Sequence, residues 1–197
     1  MLMESVWLEI SKYGKKLTEK GFVCGHGGNI SVRFSNFMYI TRKGASLEDV
    51  TFKDVVYVPL DHDEKIEDHA STETSVHKEI YFKTDFKAII HSHAPYAIAV
   101  SYFFNEIEPL EIEAAMSMGI VKVIEGKSGT KELGERIVGN MGLCKAVIVR
   151  GHGVFAAGSS LEEAYRVTCA IERNCRQKYL AEILRSLGFK FIKPKEV

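Results

Sequence analysis

The stretch FKAIIHSHAPYAIAV, residues 86–100, combines an apolar segment, two histidines and a proline. Residues 86–93 are apolar and β-branched, which predicts a buried strand, and Pro95 suits the first turn of a following helix. Because side chains alternate across a strand, His91 and His93 are expected on one face, roughly 6–7 Å apart at the backbone. Two imidazoles in that arrangement can share one ion.

A second apolar strand, KAVIVR, leads into a third histidine, His152, in the turn RGHG. Glycines on both sides let the backbone turn tightly and leave the ring accessible. Three imidazoles with an open fourth position are typical of catalytic zinc, whereas structural zinc sites are usually closed by four ligands rich in cysteine. We therefore predict one divalent ion, preferably Zn²⁺, held by His91, His93 and His152. A structural or hydrogen-bonded pair is the alternative for the HxH motif taken alone.

A carboxylate, Glu73, lies at the start of a helix predicted from STETSVHKEIYFKT. It is a candidate acid/base, but a carboxylate there also stabilises the helix N-terminus through the helix dipole. The hydroxyl groups of Ser71 and Thr72 either cap the helix or help to hold a phosphate. Glycine permits close backbone approach and lysine supplies a charge, so further candidates for an anion cradle are Gly28, Asn29, Lys43 and Gly44.

The other histidines have simpler interpretations. His77 follows Glu73 by four residues and could be a ligand, but a histidine packed or hydrogen-bonded in the core is the simpler interpretation. Solvent exposure is expected for the histidines in polar loops, which are His26, His62 and His69. The aromatic run at residues 102–104 is typical of a core or a subunit interface.

Helical and strand patterns interleave along the rest of the chain, which indicates a layered α/β domain. The predicted elements are a helix over residues 4–20 ending at Gly21, a hairpin over 30–41 turned at Ser35-Asn36, a strand over 55–60, a helix over 128–141 and two strands within 145–158. A capping box at Ser160-x-x-Glu163 should begin a last helix that ends near Gly188, with Cys175 and Tyr179 on its inner face. The hairpins favour a mostly antiparallel sheet.

The amino-acid composition is typical of a soluble globular protein and gives no sign of a nucleic-acid-binding or membrane-spanning one. The 197 residues are 46% hydrophobic and 26% charged, as in soluble globular proteins, and suit a single domain over residues 1–197. The net charge of zero gives no reason to expect nucleic acid or an anionic membrane as a partner. No uncharged apolar run approaches the roughly 18 residues of a membrane span, so a cytoplasmic location is expected. Buried thiols are the simplest interpretation of the cysteines, which are Cys24, Cys144, Cys169 and Cys175.

Five short segments, in this order along the chain, resemble the class II aldolase/adducin family: GGNIS (27–31), TRKG (41–44), STE (71–73), HSH (91–93) and RGHG (150–153). The resemblance implies a three-layer α/β/α fold around a mixed, mostly antiparallel sheet. It also implies a homotetramer with active sites at subunit interfaces and one Zn²⁺ per subunit.

The family resemblance assigns roles to these segments. It implies zinc binding by His91, His93 and His152 and acid/base catalysis by Glu73. The phosphate-binding positions that it implies are Gly28, Asn29, Gly44, Ser71 and Thr72. Lys43 stands where the family commonly has a hydroxyl residue, and Glu113 where its aldolase has a tyrosine. A second family tyrosine, on a C-terminal tail, has no counterpart before Val197.

The activity expected from the resemblance is reversible aldol cleavage of a ketose 1-phosphate, such as L-fuculose 1-phosphate, to dihydroxyacetone phosphate and an aldehyde. Two alternatives would use the same site: dehydration of a sugar phosphate of the methylthioribulose 1-phosphate type, and epimerisation of a ribulose phosphate at C4. A noncatalytic scaffold is the alternative from another class of protein. The complete set of three histidines and Glu73 argues against a scaffold.

Overall fold

The computed structural model describes residues 2–61, 69–112, 114 and 118–192. The helices are α1 (Leu2–Glu19), α2 (Thr74–Lys83), α3 (Pro95–Ser101), α4 (Lys131–Asn140) and α5 (Leu161–Ser186). The strands are β1 (Asn29–Phe34), β2 (Phe37–Thr41), β3 (Val55–Pro59), β4 (Ala88–Ser92), β5 (Glu106–Ile107), β6 (Val121–Ile124), β7 (Ala146–Val149) and β8 (Gly153–Gly158). Two residues discussed above, His62 and Glu113, lie outside the described part of the chain.

The strands form one sheet in the order β3-β2-β1-β4-β8-β7-β6-β5. Neighbouring strands run antiparallel, except that β6 and β7 run parallel. The predicted hairpin turns at Ser35-Asn36, and the predicted unit at residues 145–158 forms β7 and β8. The mixed, mostly antiparallel sheet is therefore confirmed.

Helices cover both faces of this sheet. On one face α2 and α4 bury Ile80 and Ile137 against Ile89 of β4. On the other face α1, α3 and α5 cover a second apolar layer, which includes Ile90. Because consecutive strand residues point to opposite faces, Ile89 and Ile90 contribute to different cores. The three-layer α/β/α architecture is confirmed.

Three neighbouring strands in the middle of the sheet bring the predicted site segments together at one end of the strands. Strand β4 lies between β1 and β8, and Asn29, the first residue of β1, pairs with His91 near the end of β4. On the other side of β4, Ser92 pairs with Val154, close to the turn that carries His152. Three segments that are far apart in sequence therefore end side by side.

The capping box at the start of α5 is only half formed. The Ser160 hydroxyl accepts a hydrogen bond from the Glu163 N–H at 3.2 Å, as expected. The Glu163 carboxylate, however, accepts from the N–H and hydroxyl of Ser159, each at 2.7 Å, and also from Lys145. In a full capping box the Glu163 carboxylate would accept from the N–H of Ser160, but here it accepts from Ser159 and Lys145 instead.

Several burial predictions are wrong. Tyr179 is 43% exposed, and Leu180 and Leu184, in the last turns of the 26-residue α5, are exposed as well. Cys24 is exposed in the loop between α1 and β1, whereas Cys144 and Cys175 are buried as expected. Phe103 is 81% exposed, which excludes it from the core of this chain and leaves the subunit interface as the remaining expectation for it.

A candidate metal and sugar-phosphate site

The three predicted histidines lie together at one end of the central strands of the sheet. His91 is the fourth residue of β4, His93 lies just beyond the strand end, and His152 occupies the turn between β7 and β8. The Nε2 atoms of His91 and His93 are 3.2 Å apart, and one ring nitrogen from each of the three lies within 4.8 Å of the others. This geometry matches a shared ion.

The hydrogen bonding and ionisation of the histidines also fit a divalent metal. Nδ1 of His91 donates to the carbonyl of Val154 at 3.1 Å, which leaves the Nε2 lone pair of the neutral ring facing the other two imidazoles. A carbonyl acceptor behind a ligand histidine is the usual support at metal sites. Burial, followed by the neighbouring imidazoles of His152 and His93, holds the pKa of His91 well below its usual value. Burial and His152 likewise lower the pKa of His93. Neutral imidazoles are the form that binds a metal.

Glu73 lies beside the histidines at the N-terminus of α2. It is the N-cap residue, one position before the first turn in which the sequence placed it, and it is only 3% exposed. Its Oε1 is 3.8 Å from Nε2 of His152. The hydroxyl of Ser128 donates to Oε1, and the N–H of Gly129 donates to Oε2 at 3.1 Å. A buried carboxylate is thus held at the side of the three-histidine cluster.

One pocket contains every residue that the sequence predicted for the site. Its lining includes Gly28, Asn29, Lys43, Gly44, Ser71, Thr72, Glu73, His91, His93 and His152. The lining includes the three histidines and Glu73, and it also includes Ser71, Thr72 and Lys43, the residues for which the sequence predicted phosphate binding. The pocket therefore brings the candidate metal ligands and the candidate phosphate-binding residues together.

A sequence profile of the Class II Aldolase and Adducin N-terminal domain matches residues 8–179. The chain belongs to the class II aldolase and adducin family. Its fold superposes on the crystal structure of L-fuculose-1-phosphate aldolase from Thermus thermophilus with a TM-score of 0.87. The two sequences are 28% identical, and the match covers 94% of this chain and 98% of that one.

Two relatives of this class II aldolase are similar over most of their length. The L-fuculose phosphate aldolase of Methanococcus maripaludis is 29% identical over 181 residues, which is 90% of this chain and 98% of the relative. The 5-deoxy-D-ribulose 1-phosphate aldolase of Bacillus thuringiensis serovar kurstaki is 31% identical over 185 residues, which is 91% of this chain and 86% of the relative. The protein is thus a member of a metal-dependent aldolase family with a three-histidine metal site.

Three pocket residues of this class II aldolase were not among the predicted site residues. His26 is solvent-exposed, as expected, but it also lines the pocket. Arg42 lies beside Lys43 in TRKG, and its guanidinium pairs with Asp54 at 2.7 Å and donates to the Lys43 carbonyl at 3.1 Å. Its place in that segment could have identified it. Ser128 had no comparable signal, because it reaches the pocket only through the packing of α4 on α2.

Two buried polar side chains near this site differ in role. His77 is fully buried with Nδ1 2.7 Å from the Ser31 hydroxyl, and burial lowers its pKa to about 3. The expectation of a core histidine is confirmed. Asn29, by contrast, lines the pocket, and its buried Oδ1 has no hydrogen-bond partner among the described residues. A buried amide oxygen in that position is available to a bound ligand.

Proposed function

We propose that this class II aldolase reversibly cleaves a ketose 1-phosphate to dihydroxyacetone phosphate and an aldehyde, with one Zn²⁺ per subunit. One observation carries the proposal: the three histidines, Glu73 and the anion-binding segments line the same pocket. The two relatives, an L-fuculose phosphate aldolase and a 5-deoxy-D-ribulose 1-phosphate aldolase, support this substrate class.

His91, His93 and His152 would hold the zinc ion in this proposal. A zinc ion in that position supplies a Lewis acid for the oxygens of the substrate. The contribution of the protein is to present neutral imidazoles in fixed orientation. The Val154 carbonyl does this for His91 through its 3.1 Å hydrogen bond to Nδ1.

Glu73 would act as the acid/base. When the C3–C4 bond of the ketose breaks, the C4 hydroxyl loses its proton as it becomes the aldehyde carbonyl, the three-carbon fragment retains the electron pair, and C3 must take up a proton. In the reverse direction a base must remove that proton. Glu73 is buried beside the three histidines and is held by two donors, so it can carry the proton at a defined position.

The phosphate group would bind in the part of the pocket that is lined by Ser71, Thr72 and Lys43. The hydroxyl groups of Ser71 and Thr72 at the start of α2 would supply hydrogen bonds, and Lys43 would supply charge. The backbone at Gly28 and Gly44 and the free oxygen of Asn29 complete the substrate contacts.

The homotetramer implied by the family belongs to the same proposal, and light scattering of the purified protein tests it.

A product screen tests the reaction. The zinc-loaded protein is incubated with the 1-phosphates of fuculose, rhamnulose, ribulose and 5-deoxyribulose, and dihydroxyacetone phosphate is measured with a coupled dehydrogenase. Release of the three-carbon phosphate from one of them supports the aldolase. Products that retain the full carbon chain would point to dehydration or epimerisation instead.

Replacement of Glu73 by glutamine tests the acid/base role. A positioned acid/base contributes about 10²–10⁴-fold to the rate, so we expect Glu73→Gln to lower kcat by at least about 100-fold with zinc still bound. Glu132→Gln, at an exposed position in the first turn of α4, is the matched control and should leave kcat unchanged. A Glu73→Gln enzyme within a few-fold of the wild-type rate would show that another group moves the proton.

A further inference from the structure

We propose that Ser128 is a positioning residue for Glu73. Its hydroxyl, together with the N–H of Gly129, holds the carboxylate in the orientation in which it meets the substrate. This inference rests on the proposed acid/base role of Glu73.

Each oxygen of the Glu73 carboxylate has its own donor. Oε1 accepts from the Ser128 hydroxyl, and Oε2 accepts from the Gly129 N–H at 3.1 Å. Two donors on two oxygens oppose rotation of the carboxylate about its last bond. The oxygen that Ser128 binds is also the one that lies 3.8 Å from Nε2 of His152. Ser128 thus orients the oxygen on the side of the histidine cluster.

The loop that carries these donors is built for close approach to Glu73. Gly129 has φ of +73°, and a Cβ there would lie 2.6 Å from the Thr72 carbonyl oxygen, so a larger residue would force the loop away. The hydroxyl of Thr130 donates to the Lys127 carbonyl at 2.9 Å and accepts from the Leu133 N–H at 3.2 Å. These bonds fasten the loop to the first turn of α4.

The two helices behind the contact are packed together. Glu73 begins α2, and the loop of Ser128 leads into α4. Leu133 and Ile137 of α4 share one buried core with Val76 of α2. Because the helices pack through a dense core, the distance between Glu73 and Ser128 is set by the fold rather than by a mobile side chain.

A hydroxyl that only orients the base should affect turnover more than substrate binding. We therefore expect Ser128→Ala to lower kcat by about 10–100-fold while KM stays within about 3-fold and zinc content is unchanged. Ser128→Thr retains the hydroxyl and should recover most of the rate. Ser128→Val has nearly the shape of the threonine variant without its hydroxyl and should resemble Ser128→Ala.

The experiment compares these three variants with Ser186→Ala, an exposed serine in the last turn of α5, as the control. Steady-state kcat and KM with the best ketose phosphate, bound zinc and thermal unfolding are measured for each. Equal turnover of the threonine and valine variants would overturn the proposal, and so would an effect confined to KM. The threonine and valine pair decides the matter even where the alanine variant does not fold.

A double variant separates this inference from the proposed function. In the Glu73→Gln background the further change Ser128→Ala should lower kcat by less than about 3-fold, because Ser128 acts through Glu73. Wild-type turnover of Glu73→Gln alone would refute the proposed acid/base role of Glu73. A large loss for Glu73→Gln with wild-type turnover for Ser128→Ala would refute only the positioning role.

Discussion

Replacement of Gly27 by alanine is expected to weaken zinc binding without contact with the metal. A Cβ at Gly27 would lie 2.8 Å from Nδ1 of His93, whereas ordinary contacts begin near 3.4 Å. The imidazole would have to retreat by about 0.6 Å, and metal–nitrogen bonds tolerate deviations of only about 0.2 Å. Disturbance of a residue that supports a ligand typically costs about 10–100-fold in metal affinity, or about 1.4–2.7 kcal/mol.

Competition with a fluorescent chelator measures the zinc dissociation constant of the Gly27→Ala protein. The matched control is Gly139→Ala in α4, where an added Cβ meets nothing within 4 Å. This control should bind zinc normally and gain up to about 1 kcal/mol in unfolding free energy, since alanine favours the helix. Wild-type zinc affinity in a folded Gly27→Ala protein would refute both the tight contact and the role of His93.

Two further predictions concern the phosphate group and stability. Lys43→Ala should raise KM for the sugar phosphate and Ki for inorganic phosphate by about 10-fold, because it removes a positive charge from the pocket. The control, Lys15→Ala on the exposed face of α1, should change neither constant. Unchanged KM and Ki in Lys43→Ala would show that Lys43 does not bind the phosphate group. The hydrogen bonds of Glu163 with Lys145 and Ser159 lower its pKa to about 2. The ionised carboxylate therefore stabilises the folded state fully above pH about 4.5, and this stabilisation is lost as the pH falls toward 2. Because the pair is partly exposed, Glu163→Gln should cost about 1 kcal/mol at pH 7 and less at pH 3 in urea unfolding; an equal cost at both pH values would contradict this origin.

Local patterns predicted most of the fold. The period of apolar residues predicted α1 and α4, and turn and glycine signals predicted both hairpins. Wrong predictions occurred where burial depends on distant partners. The helical pattern placed Tyr179 correctly on α5, but it contained no information on which turns of α5 are covered by other elements.

In the candidate site, too, the sequence predicted relations between residues that are close along the chain and missed a contact between distant ones. His91 and His93 were paired by strand alternation, and Glu73 by its place at a helix start, because those relations extend over a few residues. Ser128 donates to a carboxylate 55 positions earlier. The sequence had placed it in the helix predicted over 128–141, but the observed helix begins at Lys131, and Ser128 lies in the loop before it.

The sequence by itself determined which residue types could carry the chemistry: three imidazoles, one carboxylate and segments able to bind an anion. Only the tertiary structure decided that they share one pocket and that Ser128 and Gly129 bind the two oxygens of Glu73. The physical reason is that periodicity shows which side chains share a face of an element, whereas contacts between elements depend on how the helices and strands pack.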